Sequence, residues 1–495
     1  MTAGPSHVAA STNDSDALHG LSHLPALASN AAVRSAIDTI LAELRRTQAS
    51  ITGARPADSS KAHSYASWLK RNNELRGRAT MYPYVGAGIG NGALVQLADG
   101  SVKWDMINGI GVNMFGHSDH RMVEAALESA LSDVCMQGHL QHNVDILEIA
   151  EILTAQASRT SRLRHCFVTN SGCMANENAL KICQQKTKSA PRIIAFADCF
   201  MGRSTTMSQI GDTAAYRQGL VQNILVDYMP FYDANLGARS TEIAVWHLKQ
   251  LIDRYPKQHS CFIMEVVQGE GGFNVAPREF LEALMRMCRD ASIPVWVDEI
   301  QSFGRTENMF AFETIGLGEY VDVATVGKLT QVCACLFTED LNPAAGLLAG
   351  TFSSSTSAYH VGRRALEVLR DGDYYGANGR IAKLNAAFRT CAEDLVRRRP
   401  EFFPPVIDGF GRPVQAVVGG IGAMMRLTPL GGKKDALTAL LKVMFEEGVI
   451  ALTCGHGPYH LRLLPPFGVM QPEQFKPVFE IIEKSLEKMK SEKMK

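Results

Sequence analysis

Between residues 164 and 327 the chain alternates short apolar runs with helical patterns. RHCFVTN, PRIIAFA, NILVDY, CFIMEVV, IPVWVDE and VDVATVG are apolar along most of their length rather than at every second position. That is how strands read when both faces of a sheet are covered. Helical segments between them predict an α/β fold, with a mostly parallel sheet flanked by helices. Upstream, residues 31–48 carry Val33, Ile37, Ile40, Leu41 and Leu44 at three-to-four spacing, which predicts an amphipathic helix. Residues 82–105 read as short strands with Asp99-Gly100 as a hairpin turn. Gly86, Gly88, Gly90 and Gly92 precede no helix, so they read as the turn-rich start of a strand and not as a nucleotide loop. Beyond the Ser-rich residues 351–357, long helical patterns return (HVGRRALEVLR, GRIAKLNAAFRTCAEDLVRRR). The Gly-rich strand region VQAVVGGIGAMMRLT and a terminal amphipathic helix follow, which predicts a smaller α+β lobe. Residues 1 to about 30 show no sustained period and read as disordered or loosely attached.

Composition narrows the function classes. The 495 residues are 46 % apolar and 20 % charged, with 50 Lys+Arg against 50 Asp+Glu. This is an ordinary globular balance, without the basic excess of a nucleic-acid binder. No apolar run approaches the length of a membrane span. The eleven cysteines are scattered, with no paired CxxC spacing, and fit a reducing compartment. The first twenty residues lack a basic segment followed by an apolar core, so the expected location is the cytoplasm.

In a parallel sheet, ligands bind at the carboxyl ends of the strands. The residues that end these runs carry chemistry: Ser171-Gly172-Cys173 opening a helix, Phe200 to Ser204, Gln268 to Gly272, Asp298 to Thr306, and Lys328 after VDVATVG. A carboxylate closing a run as apolar as IPVWV needs a donor or cation, and the lysine faces the same constraint. A buried Asp298–Lys328 ion pair, or two strand-end residues that simply reach solvent, is one reading. The other is a pyridoxal phosphate site: a helix start for the phosphate, a carboxylate for the ring nitrogen, an aromatic for the ring face and a lysine for the aldehyde.

From about Tyr82 to Phe479 the chain resembles the class III (fold-type I) pyridoxal-phosphate-dependent aminotransferases, nearest in motif style to the lysine 6-aminotransferase, 4-aminobutyrate and ornithine aminotransferase group. The resemblance rests on Ser171–Glu177, Phe200–Ser204, Glu265–Gly272 and Asp298–Thr306, and on GKLTQVCA around Lys328. It implies that Ser171, Gly172 and Cys173 grip the phosphate and that Phe200 covers the ring. Asp298 would pair with the ring nitrogen, Gln301 with the ring hydroxyl, and Lys328 would form the Schiff base; Glu265 belongs to the same cofactor set. Thr351 resembles a threonine that reaches the phosphate of the neighbouring subunit, which implies a homodimer. Arg203 and Arg462 resemble substrate-carboxylate arginines, and Glu270 the acid that pairs with the second of them. The implied division is an extension over residues 1–80 with one amphipathic helix, a small domain from 81–130 and 366–495, and a large cofactor domain over 131–365.

The activity implied is ping-pong transfer of an amino group from an ω-amino acid or basic amino acid to 2-oxoglutarate. A same-fold aminomutase, racemase or decarboxylase is the alternative, and a cofactor-less binding protein the third reading. Met174 and Met201 depart from the family's Glu and His, Leu94 stands where ornithine aminotransferases carry a tyrosine, and AGTFSSST lacks the usual Gly-Gly-Asn. These differences bear on the substrate and on the Thr351 contact. His117 and His120 lack a third ligand, so no metal site is expected. Cys333 and Cys335 are expected to flank a buried strand.

Overall fold

A computed structural model describes residues 26–132, 134–407, 411–413 and 416–493. Of the expected loose segment, residues 1 to about 30, residues 1–25 lie outside the described residues. All six expected strands form one sheet: β1 (Leu163–Thr169), β2 (Arg192–Phe196), β3 (Leu225–Met229), β4 (His259–Met264), β5 (Val295–Asp298) and β6 (Val323–Val326). A seventh strand, β7 (Cys333–Thr338), completes the order β1-β7-β6-β5-β4-β2-β3. It runs antiparallel to both neighbours, while the other pairs are parallel. Cys333 and Cys335 thus lie within a buried strand and do not flank one. Their alternation with Ala334 and Leu336 is masked in the sequence because all four are apolar and both faces are covered.

Successive side chains of the strands divide between two apolar clusters. Val295 and Val297 of β5, with Ala324, Val326, Ala334 and Leu336, point into the larger one. Trp296, with Ile193, Ala195, Cys261, Ile263, Val323 and Cys335, points the other way, against Ala179, Leu180 and Cys183. Those last three lie on the Gly172–Lys186 helix. Asp298, two residues after Trp296, shares that face and meets the same helix near its start.

Among the described residues there are also two four-stranded sheets and two short two-stranded ones. Gly86–Asn91, Leu94–Leu97 and Val102–Asp105 are antiparallel, and the C-terminal strand Val449–Ile450 adds to them in parallel. Gly100 makes the hairpin turn at φ +84°, donating from its N–H to the Leu97 carbonyl. The other four-stranded sheet joins Val418–Ile421, Met424–Leu427, His460–Leu463 and Leu452–Cys454, and it carries Arg462.

The expected helix spans Ala31–Gln48, burying Ile37 and Leu41, while Arg34 reaches Glu124 and Glu128 at 2.5 Å each. The extension holds a second helix, Ala62–Arg76, which buries no residue. Periodicity could not reveal it, because a helix that covers no core carries no apolar stripe. Among the described residues no helix is long and apolar enough to cross a membrane.

Trp296 is fully buried and its indole N–H donates to Thr325 Oγ1 at 3.2 Å. Trp296→Ala is expected to cost about 3–5 kcal/mol and to lower the thermal midpoint in calorimetry, with Trp296→Phe clearly milder. Equal midpoints for Ala and wild type would contradict this packing.

Candidate active site

The carboxyl ends of β1, β5 and β6 open onto one cavity of about 230 Å³. Its lining includes Ser171, Gly172, Cys173, Asn176, Phe200, Arg203, Glu265, Asp298, Gln301 and Lys328. The sequence segments that end the apolar runs are therefore adjacent in space.

Helix Gly172–Lys186 begins at the cavity, capped by Ser171, whose hydroxyl oxygen accepts from the Met174 N–H. The early N–H groups of a helix have no intrahelical acceptor and favour an anion there. Gly172 packs so closely on Ile300 that a Cβ would come within 2.7 Å of Ile300 Cδ1. Gly202, at φ +127°, lies just as close to Cys173 Sγ, and that sulfur accepts from the Arg203 N–H. The loop bearing Phe200 and Arg203 is thereby pinned to the helix start.

Asp298 is buried at the end of β5. Asn176 donates to its Oδ2 at 2.8 Å and the Ile300 N–H to its Oδ1 at 2.9 Å. Among the described residues no cation lies within ion-pairing distance of it. Burial pushes the carboxyl up to about 6, against the pull of these donors and of Lys328. Glu265, also buried, accepts from the Phe200 and Gly269 N–H groups at 3.2 and 3.1 Å. Its carboxyl is driven up to about 8 by burial and then by the negative Asp298.

Lys328 follows β6 at φ +57°, in the left-handed region that costs a non-glycine residue roughly 1–2 kcal/mol. Such strain is typical of functional positions. The expected alternative of a direct Asp298–Lys328 ion pair is not realised: Lys328 makes none among the described residues. Burial lowers its ammonium to about 8, and the positive Arg462 and Arg305 add to this, opposed by Glu270 and Asp298.

Arg462 is completely buried, donating to Glu270 Oε1 and to Gln301 Oε1, each at 2.7 Å. Gln301 therefore joins the cavity to the Glu270–Arg462 pair, and Gly269 lets it do so, since a Cβ there would meet Gln301 Oε1 at 2.8 Å. Arg203 has no carboxylate partner among the described residues; its guanidinium stacks 3.2 Å from the centre of the Tyr216 ring. Thr351 is not in this cavity. It lies in a separate hollow with Met136, His139, Leu140 and Phe352, where Leu140 is 97 % exposed.

Sequence reasoning missed Asn176 and Arg305 as parts of the site. Asn176 sits in the Ser171–Glu177 segment, and its spacing along the helix could have pointed to Asp298. Arg305 is buried and donates to the Gln301 carbonyl at 2.8 Å and to the Gly111 carbonyl. Backbone acceptors from remote segments leave no trace in the sequence. His117, set aside as a metal ligand, has its Nε2 2.9 Å from Asp105 Oδ2.

The residues fit pyridoxal phosphate on physical grounds. A buried carboxylate with only neutral donors suits a ring N–H⁺, the helix start suits a phosphate, Phe200 lines the wall, and the lysine amine lies in the same cavity.

The family profile Aminotransferase class-III matches residues 80–486. The diaminobutyrate–2-oxoglutarate aminotransferase of Rhizobium meliloti is 27 % identical over 455 residues, which cover 86 % of this chain and 94 % of that protein. The lysine aminotransferase of M. tuberculosis superposes with a TM-score of 0.72 at 19 % identity, covering 84 % of this chain and 98 % of that one. The ornithine aminotransferase of Toxoplasma gondii gives 0.71 at 20 % identity, covering 86 % and 96 %. Over these 407 matched residues, with the strand-end groups gathered in one cavity, the chain belongs to the class III aminotransferases, pyridoxal-phosphate-dependent enzymes of fold type I.

Proposed function

We propose that the enzyme transfers the amino group of an ω-amino or basic amino acid to 2-oxoglutarate in two half-reactions. The observation that carries this reading is the unequal state of the two arginines. Arg462 is closed by Glu270, while Arg203 stands without an acid on the cavity wall. An incoming amino acid can thus present its carboxylate to Arg203 and its far amine to Lys328, without competing with Glu270. When Glu270 swings aside, Arg462 becomes a bidentate site for the carboxylate of 2-oxoglutarate. The relatives support the class of donor, since their names include diaminobutyrate and ornithine.

Pyridoxal phosphate, when bound, supplies an aldehyde that condenses with amines and a protonated ring that takes up the electron pair released at the donor carbon. The protein's share is positioning and proton handling. Asp298, oriented by Asn176 and the Ile300 N–H, holds the ring nitrogen protonated. Lys328 Nζ, easily made neutral in its buried setting, takes the proton from the donor carbon and returns it on the cofactor side. Phe200 covers the ring, and its backbone is held by Glu265. The Ser171, Gly172 and Cys173 groups at the helix start bind the phosphate, and Gln301 carries the ring hydroxyl's hydrogen bond while remaining tied to Arg462.

The protein acts as a cytoplasmic homodimer in this reading. Thr351, absent from the lining of its own chain's cavity and set among exposed apolar side chains, reaches the phosphate site of the partner subunit. Residues 131–365 carry the cofactor, and residues 81–130 with 366–495 form the smaller domain. The pairing of Val449–Ile450 with Val102–Asp105 supports this division.

Incubating the holoenzyme with 2-oxoglutarate and a panel of ω-amino acids is expected to yield glutamate with at least one donor. Conversion of a donor without any acceptor would instead indicate an aminomutase, racemase or decarboxylase. Lys328→Ala is expected to lose at least roughly 100-fold in turnover with its circular dichroism unchanged; near wild-type turnover would mean that another lysine serves.

The amine must be neutral to attack the aldehyde. Because Lys328 is lowered to about 8, cofactor uptake by the apoenzyme is expected to speed up as pH rises through about 8 and then level off. A midpoint near the ordinary lysine range, above 10, would contradict the burial of this amine.

A further inference from the structure

Tyr216 does not line the cofactor cavity, yet its ring packs on Phe200 and carries Arg203, and its hydroxyl feels Arg462. It lies on a single helical turn, Ala214–Arg217. Arg217 fastens that turn by donating to the Gly211 carbonyl at 2.7 Å and to the Tyr228 hydroxyl at 3.2 Å. The Tyr216 ring meets Phe200 edge-on at 5.9 Å and carries the Arg203 guanidinium over its face, Cζ 3.2 Å from the ring centre. Its half-buried hydroxyl lies within the electrostatic reach of Glu270, Arg203, Arg462 and Tyr459, and burial with Glu270 raises the phenol above its ordinary value. The phenol is therefore neutral and cannot neutralise Arg203.

An arginine side chain on a loop has several free torsions, and ordering it on binding costs affinity. Stacking on a fixed aromatic removes much of that cost while leaving every guanidinium N–H free to donate. A carboxylate in Tyr216's place would have occupied those donors. Arg203 has this aromatic support and no acidic partner among the described residues.

We propose that Tyr216 is a positioning residue for donor specificity: its ring pre-sets the Arg203 guanidinium so that the enzyme selects amines carrying a carboxylate at their far end. The proposal rests on the reading that Arg203 receives the donor's carboxylate. Tyr216 acts on the donor through Arg203; Tyr216→Phe, which removes only the hydroxyl, controls for its influence on Glu270 and Arg462, and kcat controls for its contact with Phe200.

The test uses matched pairs on the holoenzyme: L-lysine with cadaverine, L-ornithine with putrescine, L-2,4-diaminobutyrate with 1,3-diaminopropane. For the pair whose amino acid turns over fastest, the KM of the amino acid and the Ki of the diamine as its competitor are measured in wild type, Arg203→Met, Tyr216→Leu and Tyr216→Phe. A Tyr216→Ala variant serves if the leucine disturbs folding. Tyr216→Leu is expected to raise the amino acid's KM about 10-fold, equivalent to about 1.4 kcal/mol, with kcat and the diamine Ki unchanged. Tyr216→Phe, which keeps the ring, is expected to stay within about 2-fold of wild type. An Arg203→Met variant that leaves both constants unchanged would overturn the Arg203 reading itself. If Arg203→Met raises KM but Tyr216→Leu does not, the Tyr216 proposal alone fails. Parallel changes in KM and Ki, or a failure of phenylalanine to restore KM, would show a merely structural tyrosine and overturn it too.

Discussion

A buried carboxylate with no cation beside it among the described residues is the constraint around which this site is organised. Asp298 closes a strand whose preceding residues are all apolar and inaccessible. A charge held there is costly unless an opposite charge meets it. Asn176 and the Ile300 N–H orient the group without neutralising it, so its carboxyl stays raised to about 6. The neighbouring Glu265 adds a second buried acid, held by two backbone N–H groups. A cationic ring nitrogen supplies what Asp298 lacks, and in the proposed role this need is what keeps the cofactor's ring protonated.

The same burial acts in the opposite direction on Lys328, whose ammonium is disfavoured by desolvation and by two nearby guanidinium groups. One physical cause thus prepares an acid that seeks a cation and an amine that is readily neutral. Both groups are delivered by parallel strands of one sheet, so their spacing follows from strand register: Asp298 pairs with Thr325, three residues before Lys328. The C-terminal lobe contributes Arg462 from a different sheet. Gln301 links that arginine to the cavity, which in the proposed roles ties substrate recognition to the cofactor site.

Much of this was legible in the sequence because the large sheet is covered on both faces. Its strands stand out as apolar runs, and the polar residue after each run marks the carboxyl edge where ligands bind. Asp298, Lys328, Phe200 and the Ser171 turn could be read in that way. β7 was harder, since an antiparallel strand between two parallel ones looks the same by composition. The Ala62–Arg76 helix left no signal because it covers no core. Arg305 was illegible for another reason: its hydrogen-bond partners are main-chain carbonyls, two of them nearby at Gln301 and Phe303 and one far off at Gly111. The resemblance to class III aminotransferases pointed to Arg203 and Arg462, but only the structure distinguishes the open arginine from the closed one.

The central claim, that Asp298 holds the cofactor's ring nitrogen protonated, is tested most directly by the ¹⁵N resonance of that nitrogen. Holoenzyme loaded with ¹⁵N-labelled pyridoxal phosphate is recorded at neutral pH as wild type and as Asp298→Asn. The account predicts a pyridinium resonance in the wild type and an unprotonated pyridine in the variant. An unprotonated nitrogen in the wild type, or the same resonance in both proteins, would contradict it.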